Sequence, residues 1–262
     1  MIGTRLRVRA LGAQLAARLE TDPSLPDRPH SMFEHAVNFE TADGALLTLH
    51  GPGPLAAPFA IALESWEADL AGGPLTLDLG GAARVDLAVR PVRNGVTARV
   101  LLAAGLADTR PEPCAAGLES PRGRAARAAL SRAIGARDAA DFIDAACGLI
   151  GLGEGLTPAG DDYLVGVLAI LHRLADGWPA AAAVARALTA HAVDATTTVG
   201  AAFLRHAVAG QFSEPLRDLA MAKSPSGARA AAAALARMGA TSGADTLAGM
   251  RAALAALEAT PA

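Results

Sequence analysis

The stretch that decides the fold is residues 151–166, which read Gly-Leu-Gly-Glu-Gly-Leu-Thr-Pro-Ala-Gly-Asp-Asp-Tyr-Leu-Val-Gly. Three glycines alternate with other residues before Thr157 and Pro158, and an apolar run follows the two acids. This pattern predicts a flexible loop that enters a helix, with Thr157 as the N-cap and Pro158 at the first helical position. Asp161 and Asp162 then lie in the first turn, where the helix dipole favours negative charge.

The glycines in this stretch indicate more than a connection. Glycine weakens regular structure unless the backbone must adopt a positive φ or approach another group closely. A glycine-rich loop followed by a helix N-terminus is a common way to bind an anion. The adjacent carboxylates suggest a hard divalent cation such as Mg²⁺, which could bridge to a phosphate. The alternative is that Asp161 and Asp162 only complement the helix dipole.

Composition limits the class of protein. The chain has 262 residues, of which 52% are hydrophobic and 3% are aromatic, so a core of small side chains in one large domain or two small ones is expected. The formal net charge is −3 and Lys223 is the single lysine, which argues against a nucleic-acid partner. No apolar run is long enough for a membrane span and no signal peptide is evident, so we expect a soluble cytoplasmic protein.

Strand and helix patterns are separated along the chain. Residues 9–20 have helical spacing, and a β-rich region follows them. The strand candidates are 33–39, 46–49, 59–63, 75–79, 84–90 and 97–102. The helix candidates are 122–134, 138–149, 158–175, 179–192, 196–209, 214–222, 226–238 and 243–258. Segregated patterns of this kind predict an α+β fold. We expect an antiparallel β-rich domain with a leading helix at 1–120 and an all-helical domain at 121–262.

A second stretch repeats the spacing of the first. Residues 160–166 and residues 243–249 both follow the pattern Gly-x-Asp-x-Leu-x-Gly, and hydroxyl residues precede each Asp. We therefore expect two helix N-termini to present Asp162 and Asp245 to one shared site. Their carboxylates should lie within about 10 Å of each other, and without a cation at least one pKa should be raised. The alternative is that alanine-rich helices converged on one local design.

Three threonines stand between the two repeats, at positions 196–198. Thr196 or Thr197 can cap a helix that ends near Gly210, and Ser213 can cap the next one. Three threonines exceed what one cap needs. The additional hydroxyls could line the site, with helix capping as the alternative role.

These stretches together resemble a bacterial family that includes the AllH-type subunit associated with oxamate carbamoyltransferase in anaerobic allantoin breakdown. The resemblance rests on 151–162, on Thr197 through the Phe-Ser-Glu at 212–214, on 239–249 and, more weakly, on 31–39. It implies a role in carbamoyl transfer between carbamoyl phosphate and oxamate, together with partner subunits. The Ser-x-Arg-Thr phosphate loop of aspartate and ornithine transcarbamoylases is absent, so a carbamoyl phosphate site must be built differently.

The first hypothesis is therefore an enzyme subunit that binds a small anionic substrate. Its candidate catalytic residues are Asp161, Asp162 and Asp245, and Asp162 and Asp245 are also the candidate Mg²⁺ ligands. The candidate ligand-binding residues are Gly153, Gly155, Thr157, Gly160, Thr197, Thr241, Ser242 and Gly243. The second hypothesis is a non-catalytic assembly or regulatory subunit, in which the Asp residues are caps and the loop is an interface.

Overall fold

The computed structural model describes residues 4–26, 28–66, 75–92, 95–109, 116–174 and 181–259. The chain divides into two compact units, Met1–Leu87 and Ala88–Ala262. Strands occur in the first unit and helices dominate the second, so the predicted α+β segregation is confirmed. In the part of the chain that the structure describes, no helix has both the length and the apolar character needed to cross a membrane.

The described residues of the first unit form a seven-stranded sheet and one short helix. The elements are β1 Thr4–Gly12, α1 Ala13–Leu19, β2 Ser31–Met32, β3 Ala36–Glu40, β4 Leu46–His50, β5 Ala60–Leu63, β6 Leu75–Asp78 and β7 Ala83–Val85. The strand order is β2–β3–β4–β5–β1–β6, and β7 also pairs with β1. Pairing is antiparallel for β1–β5, β2–β3 and β3–β4 but parallel for β1–β6, β1–β7 and β4–β5, so the sheet is mixed rather than purely antiparallel.

The N-terminal segment differs from its prediction. Residues 9–12 belong to strand β1, and the helix predicted at 9–20 is limited to α1. Along β1 the odd positions from Arg5 to Arg9 are exposed, whereas Leu6 and Val8 are buried in the core of this unit. This alternation has the two-residue period of a strand, and it overrides the helical spacing of the leucines that follow.

The second unit begins its regular structure with a helix where a strand was predicted. Residues 97–102 lie in α2, whose buried side chains Ala98, Leu102 and Leu106 are spaced four residues apart. A methyl group on Gly105 would meet Leu219 and Ala228, so α2 packs closely on α9 and α10. Helical burial on one face therefore outweighs the β propensity of the Thr and Val residues. The predicted strand at 84–90 is likewise reduced to β7.

The remaining helix predictions are confirmed to within a few residues. The predicted domains 1–120 and 121–262 stay a prediction; the two compact units divide the chain between Leu87 and Ala88. The helices of the second unit are α2 Gly95–Leu106, α3 Ala116–Glu119, α4 Pro121–Ala136, α5 Ala139–Cys147, α6 Ala159–Leu174, α7 Ala181–Ala195, α8 Thr198–Val208, α9 Glu214–Ala220, α10 Pro225–Ala236 and α11 Ser242–Glu258. Helix α6 is central, because its residues from Ala159 to Ile170 are all buried.

Candidate functional site

The site is organised by the crossing of α6 and α11. A Cβ atom built on Gly166 would lie 2.0 Å from the carbonyl oxygen of Thr246. A Cβ atom on Gly249 would lie 2.0 Å from the carbonyl oxygen of Tyr163. The last glycine of each Gly-x-Asp-x-Leu-x-Gly repeat therefore brings one helix into contact with the backbone of the other. Any side chain at either position would separate the two helices.

The first glycine of each repeat also has a matched packing role. A Cβ atom on Gly160 would lie 1.9 Å from the carbonyl oxygen of Leu149, which follows α5. A Cβ atom on Gly243 would lie 1.9 Å from the carbonyl oxygen of Leu235, near the end of α10. Both glycines were predicted to bind a ligand, and the structure accounts for them by close packing of each helix start on the segment before it.

Asp162 and Asp245 are brought together at this crossing. Both carboxylates are buried, with 7% and 0% of their residue surface exposed. The Thr157 and Ser242 hydroxyl oxygens hydrogen-bond to each other at 2.9 Å across the two helix starts. Burial raises the pKa of Asp162 to about 8, and the negative charges of Asp245 and Asp161 add to this rise. The two helix starts are therefore neighbours, and the shared site for Asp162 and Asp245 stays a prediction.

Asp161 faces another direction and has a structural role. Its Oδ1 accepts a hydrogen bond from the Gly151 N–H at 2.9 Å, and its Oδ2 accepts one from the Thr196 hydroxyl. The side chain thus joins the beginning of the glycine-rich loop to the segment before α8. Burial raises the pKa of this carboxyl, while these two hydrogen bonds lower it. Each oxygen of Asp161 therefore has one protein donor, and its catalytic role stays a prediction.

The glycine-rich loop needs its glycines for two reasons. Gly151, Gly153 and Gly155 all have positive φ, at 71°, 123° and 91°. A Cβ on Gly151 would lie 2.0 Å from the Ala195 carbonyl oxygen, and a Cβ on Gly153 would lie 2.8 Å from the Ala159 nitrogen. A Cβ on Gly155 would meet nothing within 4 Å, so this glycine is required by its backbone conformation alone.

The tip of this loop is exposed. Residues 153–155 are exposed, and Leu156 and Thr157 are half-buried. Within the described parts of the chain, the backbone N–H groups from Gly153 to Leu156 donate no backbone hydrogen bond. The loop therefore offers several neighbouring N–H donors to solvent immediately before the N-terminus of α6. This arrangement can accept an anion.

Thr197 and Thr157, two hydroxyl residues predicted to bind a ligand, make different hydrogen bonds. Thr197 caps α8 by accepting a hydrogen bond from the Gly200 N–H at 2.9 Å, and it donates to the Leu156 carbonyl oxygen at 2.5 Å. Thr157 was predicted to cap α6, but the helix begins at Ala159 and the Thr157 hydroxyl bonds instead to Ser242.

Thr241 occupies the N-cap position of α11. Its side chain makes no capping hydrogen bond, while its carbonyl oxygen accepts from the Asp245 N–H at 2.9 Å.

Sequence reasoning did not identify the partner of Asp161 or the neighbour of the loop. Thr196 bonds to Asp161, and the surplus of threonines at 196–198 was the available signal. Gly117 of α3 approaches Gly153 so closely that a Cβ on Gly117 would lie 3.1 Å from the Gly153 Cα. Among the residues that the structure describes, no three His, Cys, Asp or Glu side chains are arranged to hold a metal ion.

Comparison with protein-family models gives two matches. Residues 149–254 match the model described as oxamate carbamoyltransferase subunit AllH, and residues 7–86 match the AllH family N-terminal domain. No curated protein and no solved structure matches the chain. The first match covers the glycine-rich loop, both repeats and the crossing of α6 and α11. The chain therefore belongs to the AllH family of oxamate carbamoyltransferase subunits.

Proposed function

We propose that this protein works as one subunit of an oxamate carbamoyltransferase-like enzyme and binds an anionic substrate at the loop before α6. The family membership supports the role as a subunit, and it implies partner chains. The observation that carries the choice of site is the loop tip, exposed at 153–155, with its glycines at positive φ and with N–H groups that donate no backbone hydrogen bond within the described residues. The proposed ligand is carbamoyl phosphate or oxamate.

The chemistry suits such a loop. In carbamoyl transfer, the oxamate amide nitrogen forms a bond to the carbamoyl carbon and loses a proton. The bond from that carbon to the phosphate oxygen breaks, so inorganic phosphate leaves with the bonding electrons. Negative charge on the departing phosphate oxygen is stabilised by fixed N–H donors and by the positive end of a helix. The loop supplies the donors and α6 supplies the helix end.

The loop is held rigidly enough for this task. Asp161 fixes its beginning at Gly151, and Thr197 fixes its end at Leu156 through the carbonyl oxygen. Asp161 lies in the first turn of α6 and Thr197 is the N-cap of α8. The loop residues between Gly151 and Leu156 are therefore held at both ends by helix starts. Donors that are positioned before the substrate arrives need no reorganisation during the reaction.

A non-catalytic assembly or regulatory role is the second candidate. The observation that favours it is the structural use of two predicted site residues: the candidate catalytic residue Asp161 has both oxygens in hydrogen bonds, and the candidate ligand-binding residue Thr197 is a helix cap. In this case the exposed loop contacts a partner subunit, and the partner holds the substrate.

Reconstitution separates the two candidates. The chain is mixed with the proteins encoded beside it, and carbamoyl transfer from carbamoyl phosphate to oxamate is measured. A Glu154→Pro variant, which lacks one N–H at the loop tip, is compared with Glu154→Ala, which keeps it. We expect both variants to assemble and only the proline variant to raise the KM for carbamoyl phosphate. If the proline variant fails to assemble while its own fold is intact, the loop is an interface.

A further inference from the structure

The starting observation is a pair of carboxylates enclosed between two helices. Asp162 and Asp245 occupy the equivalent position in the first turns of α6 and α11, at the point where these helices cross through Gly166 and Gly249. Asp162 is 7% exposed and Asp245 is fully buried. The helix starts are linked directly by the hydrogen bond between the Thr157 and Ser242 hydroxyls.

The Ser242 and Thr157 hydroxyls hydrogen-bond to the Asp162 carboxyl group and lower its pKa, but they do not satisfy its Oδ2 oxygen. Within the described residues, the buried Oδ2 of Asp162 accepts no hydrogen bond. The charges that act on the Asp162 carboxyl belong to Asp245 and Asp161, and both are negative. Buried carboxylates are normally paired with a cation or fully hydrogen-bonded, because removing an ion from water is very unfavourable. A bound cation or a proton at this oxygen would compensate the cost of burying the charge.

We propose that Asp162 Oδ2 and the carboxylate of Asp245 bind one divalent cation at the crossing of α6 and α11. The groups that surround the position are all oxygen donors, namely two carboxylates and the hydroxyls of Thr157 and Ser242, and such donors select a hard cation of the Mg²⁺ or Ca²⁺ class. Two carboxylates neutralise the double positive charge completely.

The absence of a third acidic side chain is compatible with this assignment. Mg²⁺ is commonly held by one or two carboxylates and retains several water ligands. Thr157 and Ser242 are half-buried, so the two helix starts beside the carboxylates are partly open to solvent. Asp161 does not contribute, because its oxygens are bonded to Gly151 and Thr196.

A shared proton is the competing occupant of the same position. One carboxyl group would then donate a hydrogen bond to the other, and a net charge of −1 would remain between the helix ends. The two occupants differ in what they require from solution: a proton needs no metal, whereas the cation site binds metal in a fixed stoichiometry. Metal binding measured on the purified chain therefore separates them.

The experiment titrates the full chain, after treatment with a chelator, with Mn²⁺ as a spectroscopic substitute for Mg²⁺. Electron paramagnetic resonance reports free Mn²⁺, and competition with Mg²⁺ and Ca²⁺ reports the preferred ion. We expect one Mn²⁺ per wild-type chain and at least tenfold weaker binding by Asp162→Asn and by Asp245→Asn. Asn has nearly the size and capping ability of Asp, so the fold should be retained. The matched control Asp141→Asn changes an exposed first-turn acid of α5 and should bind as the wild type does.

Each result decides the question. Stoichiometric binding that both Asn variants lose, while their circular dichroism and melting remain cooperative, supports the cation site. Absence of stoichiometric binding by the wild-type chain, or equal binding by the Asn variants, overturns it and leaves the shared proton. The titration contains no phosphate, so its outcome is independent of the proposed anion site on the loop. A chain that binds phosphate but no metal would retain the proposed function without the cation.

Discussion

The crossing helices α6 and α11 each follow a connecting segment, and the segment together with about the first two turns of its helix is called a joint here. The two joints share the same glycine and Asp positions but differ in the length of the connecting segment. At each joint a glycine packs on a carbonyl oxygen of the preceding segment, an Asp follows two residues later, and a second glycine contacts the partner helix. The connection from α10 to α11 spans residues 237–241, which is five residues. The connection from α5 to α6 spans residues 148–158, which is eleven residues. Five residues are therefore enough to make such a joint.

The difference in length between the two connecting segments shows which parts of the first joint are structural. In both joints the second glycine serves the crossing of α6 and α11, and the first glycine packs the helix start on the segment before it. The additional residues of the first joint form the loop tip, which is exposed at 153–155 and half-buried at Leu156. Asp161, whose equivalent in the second joint is Ala244, exists to hold that loop. A longer loop with a dedicated anchor is expected where the loop itself has a function.

The largest effect should come from breaking the crossing that both joints serve. Gly166→Leu and Gly249→Leu each insert a side chain where a carbonyl oxygen lies 2.0 Å from the Cβ position. We expect each change to lower the free energy of unfolding by at least ~3 kcal/mol, because the helices must separate. Urea denaturation followed by circular dichroism measures this loss. Gly227→Ala, where the Cβ meets the Ser224 hydroxyl at 3.1 Å, is the control and should have a small effect.

The next effect is a change with pH in the free energy of unfolding of the metal-free protein. Burial raises the pKa of Asp162 to about 8, well above that of the unfolded chain, so the native state binds the proton more tightly. The stabilisation is complete below about pH 4 and is lost as pH rises towards 8, by an amount on the order of 5 kcal/mol, because about four pKa units at ~1.4 kcal/mol each separate the two states. Melting in chelator between pH 5 and 8 measures it.

The Asp162→Asn variant has no ionisable group at this position. Its free energy of unfolding should therefore fall less than that of the wild type between pH 5 and 8. An equal decline in the variant would show that Asp162 is not the group responsible.

A smaller loss of stability is expected when Asp161, the residue that anchors the loop of the first joint, is replaced. Asp161→Ala leaves the Gly151 N–H and the Thr196 hydroxyl without their acceptor, and we expect a loss of about 2 kcal/mol. Thr196→Val removes one of the same hydrogen bonds. Because the two side chains interact directly, the double variant should lose less than the sum of the single variants. Additive losses would show that the two side chains are not coupled.

The smallest effect is expected within the loop. Gly155→Ala places a methyl group in open space, so only the positive φ of 91° opposes it, at about 1 kcal/mol. Gly153→Ala adds a contact of 2.8 Å with the Ala159 nitrogen and should be more destabilising. The difference between the two melting temperatures tests whether the loop is packed at Gly153 and free at Gly155.

Much of the helical unit could be predicted from the sequence, and parts of the sheet could not. The apolar runs and caps of the C-terminal half are local signals, so its helix positions were correct to within a few residues. Strand β1 pairs with β5, β6 and β7 from distant parts of the chain, and its parallel partners leave no local signature. The alternation at Arg5 to Arg9 could have identified it as a strand. The four-residue spacing of Ala98, Leu102 and Leu106 could likewise have identified α2.

The candidate site was predicted in outline but not in its division of roles. The repeat placed Asp162 and Asp245 together, because identical spacing puts identical side chains at the start of two helices. The sequence could not show that Asp161, one residue earlier, points to Thr196. Nor could it show that Gly160 and Gly243 pack on carbonyl oxygens, since such contacts depend on how distant segments meet.

The most direct test of the loop as an anion site is a titration of carbamoyl phosphate followed by calorimetry. It is made with the wild-type chain, Glu154→Ala and Glu154→Pro, each alone and with the partner subunits present. We expect saturable binding by the wild type, equal or tighter binding by the alanine variant because a negative charge is removed, and at least tenfold weaker binding by the proline variant with unchanged melting. Equal binding by the proline and alanine variants would contradict the account.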